Sequence, residues 1–443
     1  MRPVLDVHTQ PPALSLAATC AIAATALAVA MGIGRFAFTP LLPLMVRDGS
    51  LPQSAGAWLA ASNYAGYLAG ALTASRLCFS LPMLMRLSLV GTAASTAAMG
   101  ASDGLAAWIV LRGVAGVFSA WTFVATSAWA LQHLARTGRA DLSGAVYAGV
   151  GIGIAFAGLF CLAAARPGVS ASETWLALGA AAALSAAAPS YFAGRPLATV
   201  YTHGSAPAAD STPGPSTGLV ICYGAFGFGY ILPATFLPDL AREVVDDPRI
   251  FGLAWPVFGI AAALSTIATA WRFRHANRLR VWAISHVLMA IGVVLPSVLL
   301  RPTSIAMAAL LVGSTFTIVT MVGLQEARAR ARGNPAALLG LLTAAFAVGQ
   351  LAGPVAAGTI DLLPIGHSAA LGYALRLAGF ALALSAAYLW SQSRRGSRGD
   401  PRSPGRAANV HETLNRAQLI KVIAWEHPGT QMPHFDKSNL ADK

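Results

Sequence analysis

The sequence predicts an all-α integral membrane protein with twelve transmembrane helices arranged as two six-helix halves. Three observations carry this. Of 443 residues, 56% are apolar and only 11% charged, with a mean hydropathy of +0.61. A soluble chain of that length needs far more charge to cover its surface. Apolar runs of about 20 residues, long enough to cross hydrocarbon as helices, recur twelve times. Finally, a motif returns. Gly32-Ile33-Gly34-Arg35-Phe36-Ala37-Phe38-Thr39-Pro40-Leu41-Leu42-Pro43 is echoed by Gly227-Phe228-Gly229-Tyr230-Ile231-Leu232-Pro233-Ala234-Thr235-Phe236-Leu237-Pro238, and Arg47 by Arg242.

The runs lie at about 14–40, 54–75, 82–101, 105–132, 143–165, 173–193, 217–238, 251–272, 281–300, 303–325, 336–360 and 366–390. The first can extend as a helix to Met45, bending at Pro40 or Pro43. Its Ala26-Leu27-Ala28 imitates a signal-peptide cleavage site. The preceding segment offers only Arg2 against Asp6, however, and removal would destroy one copy of the repeat, so the run is read as a retained helix. The repeat continues through the halves: Gly56 and Arg76 correspond to Gly252 and Arg272, and Gly144 and Gly153 to Gly340 and Gly349. Six spans per half make both copies point the same way, a parallel repeat whose site is expected where the halves meet near mid-membrane.

The chain is therefore divided into a cytoplasmic N-terminus 1–13, a first half 14–193, a cytoplasmic linker 194–216, a second half 217–391 and a cytoplasmic tail 392–443. The linker holds Pro196, Pro207, Pro213 and Pro215, composition that breaks helices. The tail is polar from Arg394 onward and is expected to be disordered, although residues 409–425 could make a short helix.

Orientation follows the arginines. With the N-terminus inside, the inner loops and flanks carry Arg76, Arg86, Arg136, Arg139, Arg195, Arg272, Arg274, Arg278, Arg280, Arg328, Arg330 and Arg332. The outer side carries Arg47, Arg166, Arg242, Arg249 and Arg301, mostly beside acids. Trp58, Trp108, Trp175, Trp271, Trp282 and Trp390 fall near span ends, as an interfacial belt requires. The net charge of +13 belongs to these loops, so nucleic acid is not an expected partner. The expected partners are the lipid bilayer and a small-molecule substrate, with the chain a monomer. Cys20, Cys78, Cys161 and Cys222 lack paired spacing or neighbouring histidines and are read as small buried hydrophobes.

Twelve spans, a six-plus-six parallel repeat and a proline-rich linker resemble the major facilitator superfamily over residues 13–392. Arg112-Gly113-Val114-Ala115-Gly116 is similar to that superfamily's Arg-x-x-x-Gly motif. The helix-1 sequence and Gly349-Gln350-Leu351-Ala352-Gly353-Pro354 more narrowly resemble its YbfB/YjiJ-type branch. The resemblance implies a multi-pass transporter of the bacterial inner (plasma) membrane with both termini cytoplasmic, and a gating or coupling role for Arg112. The superfamily's usual loop between spans 2 and 3 is approximated only by Gly70 and Arg76; its acid is missing.

Arg35 is the leading site candidate, because a charge among membrane-embedded residues rarely faces lipid. Its guanidinium offers a planar fork of donors to a carboxylate, phosphate or sulfonate; the alternative is an arginine near the outer end of helix 1 that snorkels or caps carbonyls. Tyr230 takes its place in the second half. For Arg112 the alternative to gating is pairing with helix-end carbonyls. Asn63, Tyr67 and Gln350 are further substrate-binding candidates, Gln350 foremost, with Tyr64 and Tyr147 behind them; for each one alone, an inter-helix hydrogen bond is the simpler account. Trp121, Phe123 and Trp129 can line an apolar pocket. Gly149-Val150-Gly151-Ile152-Gly153 lacks the spacing, preceding strand and later acid of a nucleotide loop, and is read as close helix packing. No cofactor or metal is expected.

No Asp or Glu lies mid-span; Glu326 and Asp361 end spans 10 and 11. His286 is the only embedded histidine and is read as a packed core residue. The sequence thus predicts a secondary active or facilitative transporter working by alternating access on a small organic anion or amphiphile; the family resemblance alone favours efflux. The rival is a multidrug exporter with a mainly apolar pocket. A membrane sensor or enzyme on a transporter-like body needs a folded soluble domain or a cluster of His, Asp or Glu, and the sequence offers neither, so the chain is not expected to be an enzyme.

Overall fold

The computed structural model describes residues 14–52, 55–195, 217–242, 248–331, 335–364 and 367–398. The linker from 196 to 216, the N-terminal 1–13 and the tail from 399, including the helix expected over 409–425, lie outside the described residues. By internal contacts the chain divides into a unit of residues 1–390 and a second of residues 391–443; the first holds the helical bundle.

Every described element is helical. The first path, α1, spans Leu16–Arg47; α2 is Gly56–Thr73, α3 Leu81–Ala101, α4 Leu105–Arg136, α5 Ser143–Ala164 and α6 Ala171–Phe192. The second half holds α7 Thr217–Arg242, α8 Pro248–Arg272, α9 Arg278–Val298, α10 Pro302–Arg330, α11 Pro335–Asp361 and α12 His367–Arg398. Twelve helical paths therefore stand where the hydropathy placed them, and ten are long and apolar enough to cross a membrane. The exceptions, α2 and α3, carry the polar side chains that face their neighbours: Ser62 and Asn63 in one, Ser88, Thr92, Ser95 and Thr96 in the other. Helix starts follow side-chain chemistry. Ser80 caps α3, Asn277 caps α9, and Ser170 with Glu173 closes a capping box on α6.

The path of α1 differs from the expected bend at Pro40 or Pro43. The register changes earlier: Leu16–Leu27 is α-helical, Ala28–Phe36 is π-helical, and α-helix resumes at Phe38–Arg47. Pro40 has no N–H to return to a preceding carbonyl, and side chains of α4 serve carbonyls of the π segment. Ser119 donates to the Ala30 carbonyl at 2.8 Å, and Arg112 to those of Gly34 and Arg35, each at 3.0 Å.

Repeat-related glycines perform matching tasks in the two halves. A Cβ on Gly153 of α5 would collide with the Ala28 backbone of α1, and one on Gly349 of α11 with the Gly224 backbone of α7. Such small residues let helix backbones approach closely, the main source of helix association in lipid. Gly149 likewise meets the backbone at Ala24, while Gly151 points the other way, onto Gly259 and Ala263 of α8. The glycine run that superficially resembled a nucleotide loop thus joins α5 to two helices at once. The seams between halves are α5 against α8 and α2 against α11, each the other's image under the repeat.

Polar contacts tie the ends of the bundle. Asp48, just after α1, accepts from the Ala171 N–H at 2.6 Å, and Arg47 donates to the Val169 carbonyl at 2.6 Å. Arg86 of α3 donates to the Ser190 carbonyl of α6 at 2.5 Å. At the end of α10, Glu326 pairs with Arg330 at 2.7 Å and Arg278 at 3.4 Å.

The tryptophan belt needs correction. Trp58, Trp271 and Trp390 are exposed, as an interfacial position demands, whereas Trp108, Trp175 and Trp282 are buried inside the bundle. Position along a helix was visible in the sequence; the face was not. The Trp108 indole, for example, donates to carbonyls of Met99 and Ser102 where α3 ends. Cys20, Cys161 and Cys222 are buried as expected, but Cys78 is exposed, between α2 and α3.

Candidate functional site

The site candidates divide by which helix face they occupy. Arg35 lies in the π segment, about 5 Å past the middle of the 32-residue α1 path at 1.5 Å per residue, and is 2% exposed. The path extends to Arg47, so Arg35 is not at the helix end and does not snorkel. Its Nη2 donates to Oε1 of Gln350 on α11, which joins the two halves. The guanidinium lies 3.8 Å from the ring centroid of Tyr67, with Phe36, Tyr64 and Phe346 rings at 5.4–5.8 Å. Stacking on aromatic faces suits this weakly hydrated cation. Yet Nε and Nη1 have no hydrogen-bond partner, and neither does Nε2 of Gln350.

Arg112 occupies a different place. Its two terminal nitrogens hold the Gly34 and Arg35 carbonyls, and its guanidinium lies 4.9 Å from the Phe38 ring centroid. The carbonyls it serves belong to the middle of another helix. Asn63 stands beside it, donating to the Arg112 carbonyl at 3.0 Å; the pair therefore braces α1, α2 and α4 together.

Between the halves runs a slit lined by Met31, Tyr67, Phe123, Val150, Tyr223, Phe316, Thr317, Thr320, Thr343 and Phe346. The space left in it, about 10 Å³, admits at most a single water, so this is a closed state. Tyr230 is fully buried beside it, its ring stacked on Phe316 at 4.5 Å, and its hydroxyl has no partner; the same is true of the Tyr147 hydroxyl. Trp121 is drawn off to Thr73, to which it donates at 2.9 Å, and Trp129 is buried core without a place in the slit lining.

Several lining residues escaped the sequence reading. Phe316, Phe346 and Tyr223 sit in apolar runs, where an aromatic carries no polar signal. The repeat held a clue: the offset of 196 that relates Gly153 to Gly349 also relates Val150 to Phe346 and Tyr147 to Thr343. Arg376 was also missed. It is an exposed cation within α12 that donates to the Ser297 carbonyl at 2.8 Å, at the end of α9.

His286 is fully buried, its Nε2 accepting from the Trp282 indole at 2.9 Å and its Nδ1 paired with Ser385 Oγ at 2.9 Å. An indole N–H can only donate. Nε2 is therefore held as an acceptor, and a proton there would set two donors face to face.

A twelve-path helical bundle with a parallel repeat and a buried slit at the seam between its halves defines a polytopic membrane transporter of the major facilitator type. The chain belongs to the family described as uncharacterised MFS-type transporter YbfB, which it matches over residues 27–389. It is also similar in fold to the human organic anion transporter MFSD10 (TETRAN), with a TM-score of 0.61 and 17% identity, covering 86% of this chain and all of that one. No curated protein matches it in sequence.

Proposed function

We propose that this protein moves small organic anions or anionic amphiphiles across the membrane by alternating access, as a secondary active or facilitative carrier with export favoured. One observation carries the reading. A buried arginine stands at the seam of the two halves with two donor nitrogens unpartnered, and its one hydrogen-bond acceptor is a neutral carboxamide. Burying a charge in low dielectric is costly unless it is paired. Arg112 adds a second positive charge on the adjoining backbone. Among the described residues, no acid touches either guanidinium or lines the slit. A closed, apolar site with uncompensated positive charge favours an incoming anion.

The setting proposed is the bacterial inner membrane; the arginine asymmetry supports both termini being cytoplasmic, and Arg112 with Asn63 serves as the brace that couples helix 1 to the rest of its half. The human protein of similar fold is an organic anion transporter, in keeping with this substrate class. The aromatic lining of the slit favours a second reading, a multidrug exporter with an apolar pocket, although organic cations fit poorly beside Arg35.

The deciding experiment is the thermal unfolding midpoint of the detergent-purified protein against organic anions, organic cations and neutral amphiphiles, repeated on Arg35→Gln. A ligand that binds the folded state raises the midpoint with its concentration. Stabilisation by anions that disappears in the variant is the expected outcome. Equal stabilisation of both proteins by cations or neutral compounds overturns the anion reading in favour of the exporter.

A further inference from the structure

We infer that the substrate is a singly charged carboxylate with a flat apolar body, and that it binds by taking the place of Gln350 on Arg35. This rests on the anion reading above and makes it narrower. The number of charges follows from the donors in the slit lining and directly behind it. Thr317, Thr320 and Thr343 line it, but their hydroxyls donate to the carbonyls of Ala262, Phe316 and Leu339. Arg112 is held on the helix-1 backbone. One cation among the described residues, Arg35, remains; it stands behind the lining, against the rings of Tyr67 and Phe346 that do line the slit. Gln350 Nε2 beside it, and the hydroxyls of Tyr147 and Tyr230 behind Phe123 and Phe316, are neutral groups without a partner and able to donate. One carboxylate satisfies that set. A second negative charge meets aromatic rings and no further free fork, because the terminal nitrogens of Arg112, the other embedded cation, already hold the Gly34 and Arg35 carbonyls.

The shape of the body follows from those rings. Tyr230 lies on Phe316 at 4.5 Å with 23° between planes, and is stacked at the same angle on Phe346 at 6.1 Å. Tyr67 faces the guanidinium. Flat side chains layered in this way yield most readily to another flat group, which keeps the offset and edge contacts that aromatic rings prefer.

Displacement follows from the lack of room. The closed slit holds no more than a water, and the Arg35 nitrogen turned towards the second half is already occupied by the Gln350 carboxamide oxygen. A carboxamide has the shape of a carboxylate without its charge, and the charged form makes the stronger, forked bond to a guanidinium. Gln350 belongs to α11 and Arg35 to α1. Exchanging one for the other therefore removes a hydrogen bond between halves at the moment the substrate is captured. Substrate binding and release of the seam are one event.

The test compares benzoate, its neutral isostere benzamide, the dianion phthalate and benzylammonium by the shift each causes in the unfolding midpoint of the full chain at neutral pH. The set is run on the unaltered protein, Arg35→Gln and Gln350→Glu. The last substitution supplies the competing carboxylate within the protein. Benzoate is expected to stabilise the unaltered chain, with phthalate needing roughly tenfold more or failing outright, and to lose its effect in both variants. If phthalate matches benzoate, or benzoate still acts on Gln350→Glu while Arg35→Gln abolishes its effect, the single-charge displacement is overturned and the anion reading stands. If no anion stabilises the unaltered chain and benzylammonium or benzamide does, the anion reading itself falls and takes this inference with it. Should Gln350→Glu not fold, the charge series on the unaltered chain decides.

Discussion

The guanidinium of Arg112 is hydrogen-bonded to the backbone carbonyl of Arg35 at 3.0 Å, so the two embedded arginines of the first half are joined through one residue. One arginine makes the backbone of α1 tolerable in an open register; the other uses that register to reach the seam between the halves.

A lysine in place of Arg112 keeps the charge but presents a point rather than a fork. It cannot span the Gly34 and Arg35 carbonyls together. Arg112→Lys is expected to lose about 1.5–3 kcal/mol, the worth of one hydrogen bond to a charged group, read as a lower thermal midpoint with no ligand present. An unchanged midpoint would show that the two carbonyls do not depend on the fork.

Arg35 illustrates the opposite sign. It is buried with Nε and Nη1 unpartnered, and replacing an incompletely paired buried charge with an apolar side chain is often neutral or stabilising. The double substitution Arg35→Met with Gln350→Leu removes both ends of the contact. We expect a midpoint equal to or higher than that of the unaltered chain, together with complete loss of stabilisation by anions. A drop comparable to that of Arg112→Lys would mark Arg35 as structural.

Gly153 and Gly349 make matched backbone approaches in the two halves. Alanine at either position forces neighbouring helices apart, at about 1–3 kcal/mol for overpacking of this kind. The two single variants are expected to fall by similar amounts in thermal unfolding, and the double variant by about their sum, because the sites lie in different halves. A large effect at one position alone would contradict the structural equivalence of the repeat.

His286→Phe leaves the Trp282 indole and the Ser385 hydroxyl without their partner. Unmet buried polar groups cost about 1–3 kcal/mol, so the midpoint falls. Flux per folded molecule in proteoliposomes is expected to stay unchanged, since both ring nitrogens are engaged in packing contacts. A selective loss of proton-dependent flux would assign the histidine a coupling role instead.

Much of the architecture was legible in the sequence. Spanning hydrocarbon requires about 20 apolar residues with every backbone polar group bonded inside the segment, a constraint strong enough to place twelve helical paths, although α1, α10 and α12 run on to Arg47, Arg330 and Arg398, five to eight residues past their apolar runs, because a helix does not stop where hydropathy does. The recurrence of Gly32, Gly34 and Arg47, and of Gly144 and Gly153, at near-constant offsets showed the two halves. Arg35 stood out because a charge among such residues is rare.

What the tertiary structure alone decided is the rotation of each helix and the partners that follow from it. When every face of a helix is apolar, hydropathy carries no phase. Trp282 and Trp271 therefore looked alike in the sequence, although one is buried and the other exposed. The same ambiguity hid Phe316 and Phe346 among lipid-facing residues, and left Gln350, 315 positions from Arg35, as one polar candidate among several. The π register of Ala28–Phe36 is likewise a product of contact. Its carbonyls are served by Arg112 and Ser119 of another helix, so its stability is written across the bundle and cannot be read from the segment itself.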